Sequence, residues 1–154
     1  DNDIDFAILN DQNRKKIINF LIKNKFKKIL DCYIEETNQL TLEKYQYKNF
    51  EIDIFYIYEN EKFYYFYDNE SNSGLSTIEE IDNNIIVNPY INKISKFSIE
   101  SLFINNIRFL GPVNTKTLLS ELYGQQFMKP DKYWRQNKRK NRKKTNFKLI
   151  LNEY

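Results

Sequence analysis

Asp1-Asn2-Asp3-Ile4-Asp5-Phe6 and Phe50-Glu51-Ile52-Asp53-Ile54-Phe55 are two acidic stretches in which carboxylates alternate with large apolar residues. On a strand of period two the acids point to one face, and Ile4, Phe6, Ile52 and Ile54 to the other. If the two strands are neighbours, Asp3, Asp5 and Asp53 converge beside an apolar core. Three carboxylates so placed repel one another unless a divalent cation neutralises them, and hard oxygen ligands suit Mg2+ or Mn2+. The same alternation also describes a half-buried antiparallel strand with a wet outer face. Asp is depleted from strands, however, so three of them at strand centres call for a reason beyond solubility.

Working outward from these stretches, the pattern predicts a strand from Asp1 to Leu9. A helix over residues 12 to 24 follows, capped by Asn10 or Asp11, with Ile17, Ile18, Leu21 and Ile22 as its apolar stripe. Phe26–Glu35, Leu40–Tyr47, Asn49–Tyr58 and Lys62–Tyr67 read as a meander of strands, with a turn at Glu59-Asn60-Glu61. Residues 68 to 74 are polar and read as a loop, 76 to 84 carry no clear pattern, and Ile85–Val87 reads as a short strand stopped by Pro89. Phe97–Ile104 and Ile107–Leu110 form a hairpin across Asn105-Asn106, because Asn tolerates the positive φ of a two-residue turn. After Gly111-Pro112, Asn114 or Thr115 caps a second helix carrying Leu118, Leu119 and Leu122 and ended by Gly124.

The chain has 154 residues and reads as one α+β domain rich in antiparallel sheet, with 16% aromatics and only 3 Gly and 3 Pro. Its single cysteine, Cys32, has no internal disulfide partner, and the absence of His removes imidazole from nucleophilic, zinc and general-base chemistry. General acid–base work falls to carboxylates. No apolar run reaches the roughly 18 residues of a transmembrane helix, and no signal peptide is visible.

Charge is unevenly spread. Residues 129 to 148 hold ten Lys or Arg against Asp131 alone, so the net +3 describes a basic tail on an acidic domain. The tail reads as a solvated extension. Its functional alternatives are an electrostatic patch for nucleic acid or for an anionic membrane, with Tyr133, Trp134 and Phe147 available for stacking or insertion.

Taken in order, these blocks resemble the fukutin and LicD family of phosphotransferases, closest to the fukutin-like branch. Asp1-Asn2-Asp3-Ile4-Asp5-Phe6 is similar to the family's Trp-Asp-Asp-Asp-Ile-Asp signature, with Asn2 in place of its second acid. Leu40-Thr41-Leu42 with Tyr47 to Glu59 resembles the tyrosine-rich second block ending in Asp-Ile-Phe. Gly111-Pro112-Val113-Asn114, the helix ending Leu122-Tyr123-Gly124, and Pro130 resemble the closing block. The resemblance spans residues 1 to 134, and 135 to 154 form a basic C-terminal extension.

The resemblance implies a nucleotidyltransferase-like fold, a mostly antiparallel or mixed sheet with helices packed on it. Family members carry an N-terminal helix and Gly-rich element upstream of the acidic strand. This chain starts too late to include them, which implies a piece of a longer protein or a truncated domain. Asp3, Asp5 and Asp53 are then the catalytic residues and, with Asp1, the ligands of Mg2+ or Mn2+. The implied reaction transfers a phosphorylated alcohol or sugar from a CDP-linked donor to a hydroxyl of a glycan or glycoprotein, releasing CMP. Glu51 shares the parity of Asp53 as an accessory ligand or a solvated edge residue. Lys129 and Lys132 are candidates to contact donor phosphate. Tyr56 is a candidate to stack on a base or sugar, or else packs in the core. Two other functions compete: a non-catalytic binding module using the basic tail, and a minimal nucleotidyltransferase modifying protein or RNA.

Overall fold

A computed structural model describes residues 3–10, 13–68, 79–81, 84–87, 89–130, 132 and 139–154. The elements run β1 (Asp3–Leu9), α1 (Arg14–Lys23), β2 (Lys27–Ile34), β3 (Gln39–Tyr47), β4 (Phe50–Glu59), β5 (Tyr64–Asp68), β6 (Glu79–Ile81), β7 (Asn84–Val87) and β8 (Tyr90–Ile94). They continue with β9 (Ile99–Ile104), β10 (Ile107–Pro112), α2 (Thr115–Tyr123), β11 (Arg142–Lys144) and β12 (Leu149–Glu153). The class is α+β with mostly antiparallel strands, as the aromatic content and the scarcity of Gly and Pro predict.

Among the described residues, ten strands form one sheet in the order β11-β8-β5-β4-β3-β2-β12-β7-β6, with β1 joined to β4. The β1–β4 pair is parallel, because α1 carries the chain back before β2 begins; the other pairs are antiparallel. β9 and β10 form a separate hairpin, and α2 packs on β10 and β8.

α1 lies on one face of the sheet. Its Leu21 joins Ile8 of β1, Tyr45 of β3, and Ile52, Ile54 and Tyr56 of β4 in a buried cluster flanked by Ile17, Ile18 and Phe26. The helix starts at Arg14 behind Asn13, not behind Asn10. Asn10 has φ 54°, and its N–H bonds Ile57 O at 2.8 Å, so it extends the β1–β4 edge instead; Asp11 lies outside the described residues. At the other end Lys25 takes φ 67°, while Phe26 N–H bonds Leu21 O at 3.0 Å and Lys25 N–H bonds Ile22 O at 3.0 Å. This closing turn satisfies the last carbonyls and drops Phe26 onto the core beside Leu21.

On the sheet's opposite face Cys32, Ile34, Tyr67 and Leu149 form a second cluster with Leu30, Leu42 and Leu151 around them. Cys32 is buried and free. Turn chemistry follows the sequence closely: Asn60 Oδ1 accepts from Lys62 N–H and Phe63 N–H at 2.9 and 3.0 Å, and Asn105 and Asn106 both sit at positive φ, 49° and 65°. Gly124 ends α2 at φ 87°, where a Cβ is disfavoured.

The tail departs from its reading as a solvated extension. β12 lies inside the sheet between β2 and β7, with Leu149 and Ile150 buried, and β11 pairs with β8. Two of the tail's guanidiniums reach a buried acid: Asp68 Oδ1 is 2.7 Å from Arg142 Nη2, and its Oδ2 is 3.4 Å from Arg139 Nη1 and accepts from Asn92 Nδ2 at 2.7 Å. Arg142 stacks on the Tyr90 ring at 3.7 Å. Tyr133 and Trp134 lie outside the described residues.

Candidate functional site

The parallel register of β1 and β4 sets Ile4 opposite Ile52, Asp5 opposite Asp53 and Phe6 opposite Ile54. Strand alternation therefore sends Ile52 and Ile54 under α1 and places Asp5 and Asp53 together on the other face. Asp3 occupies the β1 position opposite Glu51. Asp1 and the side chain of Asp3 lie outside the described residues.

Across β4 the neighbour of Asp53 is Lys44 of β3. Its Nζ lies 3.3 Å from Asp53 Oδ2 and 3.3 Å from Glu51 Oε2. Gln46 Nε2 donates to Glu51 Oε1 at 3.4 Å. Asp53 is buried, and burial pushes its carboxyl above the ordinary range; Lys44 opposes that shift, and the charges of Asp5 and Glu51 add to it. The Lys44 ammonium is raised in turn, because Asp53 and Glu51 outweigh the burial that disfavours its charge. Asp53 Oδ1 is buried without a hydrogen-bond partner. An exposed carboxylate on Asp5 facing an oxygen so placed suits a hard divalent cation. Among the described residues, though, no group of three carboxylates is close enough to hold one, and Lys44 already supplies a positive charge.

The other predicted residues fall elsewhere. Tyr56 is buried beneath α1 rather than open to a base or sugar: its hydroxyl donates to Glu43 Oε2, and Arg14 Nε lies 3.1 Å from it. An even position on β4 faces the helix, which is why it packs. Lys129 and Lys132 are exposed and follow α2, which rests on β8 and β10, while Asp5 and Asp53 stand on β1 and β4.

A second charged constellation escaped the sequence reading. Glu43 of β3 is completely buried, yet Arg14 of α1 grips it through Nη2 at 2.7 Å and Nε at 3.0 Å, and Lys28 of β2 approaches at 2.9 Å. Burial alone would raise its pKa, but the hydrogen bonds from Arg14, Tyr56 and Lys28 hold the carboxyl below the usual range. Tyr45, buried beside it, is pushed up to about 12 by burial and by the Glu43 charge. Lys28 also pairs with Asp31, which accepts from Asn152 Nδ2 at 2.9 Å and from the Tyr154 hydroxyl at 3.0 Å. These groups are mutually saturated, and they fasten α1 and the C-terminal strand to the sheet. Thr41, Glu43 and Tyr45 form the fully buried face of β3, and Leu42 packs against the second cluster on the other face.

No protein-family model, curated protein or solved structure matches the chain. Among the described residues no helix is long and apolar enough to cross a membrane.

Proposed function

We propose that the chain is a phosphotransferase of the fukutin and LicD type, with a nucleotidyltransferase-like fold, that moves a phosphorylated alcohol or sugar from a CDP-linked donor to a glycan hydroxyl. The observation that supports this reading is the Asp5–Asp53 pair, two carboxylates in direct register on parallel strands, with one Asp53 oxygen lacking a protein partner. Asp5 and Asp53 would hold Mg2+ or Mn2+, with Asp3 and Asp1 as further candidate ligands. A bound ion supplies charge neutralisation for the donor's phosphates, which phosphoryl transfer needs more than a special nucleophile.

The chain's own residues do the remaining work. Asp53, made more basic by burial, takes the proton from the acceptor hydroxyl. The acceptor oxygen then bonds the distal phosphorus, the bond from that phosphorus to the bridging oxygen breaks, and CMP leaves. Lys44 fixes the orientation of Asp53 through Oδ2.

Calorimetric titration of Mn2+ in the presence of CDP, beside an Asp5→Asn, Asp53→Asn double variant, is the first test. Product analysis with CDP-linked alcohols and a glycan acceptor follows it. Metal-dependent nucleotide binding that disappears in the variant, and CMP release only with acceptor, support the reading. Equal Mn2+ behaviour in both proteins overturns it and leaves Lys44 as the permanent counter-ion of a non-catalytic module. A nucleotide left attached to protein or RNA points to nucleotidyl transfer instead.

A further inference from the structure

A cleft of about 510 Å³ lies on another part of the molecule, between the β4–β5 turn, the end of β8, the C-terminal half of α2 and the residues entering β11. Lys62, Lys93, Arg139 and Lys140 line it, brought together from three separate stretches of chain. Arg139 is committed to Asp68 and lies 5.7 Å from the Phe66 ring and 5.8 Å from the Tyr123 ring. Lys62, Lys93 and Lys140 have no carboxylate partner among the described residues; Lys93 Nζ rests 4.6 Å over the Phe63 ring, which steers it along the cleft wall.

The one carboxylate in the lining among the described residues, Glu121, is engaged by Ser95, whose N–H donates to it at 2.8 Å and whose hydroxyl donates to its other oxygen. The end of α2 adds partial negative charge worth less than one lysine. Lysines on an open surface spread apart and keep their own water. Here three line one concavity of the size that small ligands occupy, and an anion entering it meets all three charges.

We infer that this cleft binds a ligand presenting linked phosphoryl groups, and that it does so without a metal. Compact ammonium groups suit phosphate as point charges, and three of them match a diphosphate or triphosphate better than a single carboxylate. The site is independent of the Asp5–Asp53 reading, since neither carboxylate lines it. The source of the phosphoryl groups is either a free nucleoside diphosphate or triphosphate, or the backbone of a single-stranded nucleic acid.

The experiment measures binding of pyrophosphate, CDP, cytidine and a short single-stranded oligonucleotide in chelator, at two salt concentrations, to the full chain and to four variants. Pyrophosphate and CDP bind and cytidine does not. Lys93→Gln and Lys140→Gln each weaken pyrophosphate about tenfold, the loss expected for one charge-assisted hydrogen bond. Both lysines are exposed, so the replacements leave the core intact. Lys16→Gln, which makes the same change of net charge on α1, and Asp53→Asn leave binding unchanged. Displacement of pyrophosphate by CDP at lower concentration than by the oligonucleotide assigns the site to free nucleotide; the reverse order assigns it to a polymer backbone. Three results overturn the inference: no pyrophosphate binding, equal weakening by Lys16→Gln, or binding untouched by the cleft lysines. Because metal is absent throughout, failure here is distinct from failure of the phosphotransferase reading.

Discussion

Replacing Glu43 with Gln probes the buried charge network that ties α1 to the sheet. The side chain keeps its shape and one acceptor oxygen but loses the charge that Arg14 and Lys28 neutralise. Breaking a buried pair from one side costs 3 to 5 kcal/mol in general, because the surviving charge is left without a partner. Arg14 is about one-third exposed here and can turn toward water, and Lys28 keeps Asp31, so the expected loss is about 3 kcal/mol at neutral pH. In a domain of this size that lowers Tm by about 6 to 12 °C.

The assay is urea unfolding followed by far-UV circular dichroism, with an unchanged slope, repeated at decreasing pH. The Glu43 carboxyl is held below its ordinary value of 4.5, so its contribution is complete above that pH and is lost as pH falls through the lower folded value. The gap between the wild-type protein and Glu43→Gln therefore narrows below about pH 4.5. A loss under about 1 kcal/mol at pH 7, or a gap that stays constant into acid, refutes the reasoning.

Asp53→Asn acts in the opposite direction. Its carboxyl is raised above the usual 3.8, so the ionised form is disfavoured by folding, and a neutral side chain of the same shape raises Tm at pH 7. The wild-type protein recovers that stability as pH falls through the folded value toward 3.8, so the advantage shrinks in acid; a lower Tm for the variant at pH 7 would contradict the burial argument. Gly124→Ala meets no atom within 4 Å but forces a Cβ onto a backbone at φ 87° and ψ 170°, costing about 2 kcal/mol in urea unfolding. Asp68→Asn removes the carboxylate that the buried Arg142 guanidinium meets at 2.7 Å, costs about 3 kcal/mol, and speeds tryptic cleavage after Arg139 and Arg142, read by mass spectrometry.

Local chemistry was legible wherever a residue's role depends on its immediate neighbours. The Asn105-Asn106 turn, the Gly124 stop and the meander of β2 to β5 follow from φ preferences and period-two alternation. β8 and β11 were not legible: Arg142-Lys143-Lys144 has no apolar residue, and it becomes a strand because its backbone pairs with β8 while Asp68 receives Arg142. The strand pairing within the basic tail was not legible for the same reason, since a charge count cannot see the buried acid, Asp68, 74 residues before Arg142, that receives it.

The amino-acid sequence by itself determined that Asp5 and Asp53 stand on strands whose alternate residues are apolar, and so share a face once the strands meet. That β1 lies parallel to β4 with no residue of offset between these two was decided by tertiary structure, because α1 must cover Ile8, Ile54 and Tyr56 and thereby fixes the register. Tertiary structure also placed Glu43 of β3 beneath α1. Its charge is tolerated there only because Arg14, Lys28 and Tyr56 arrive from three other elements to surround it.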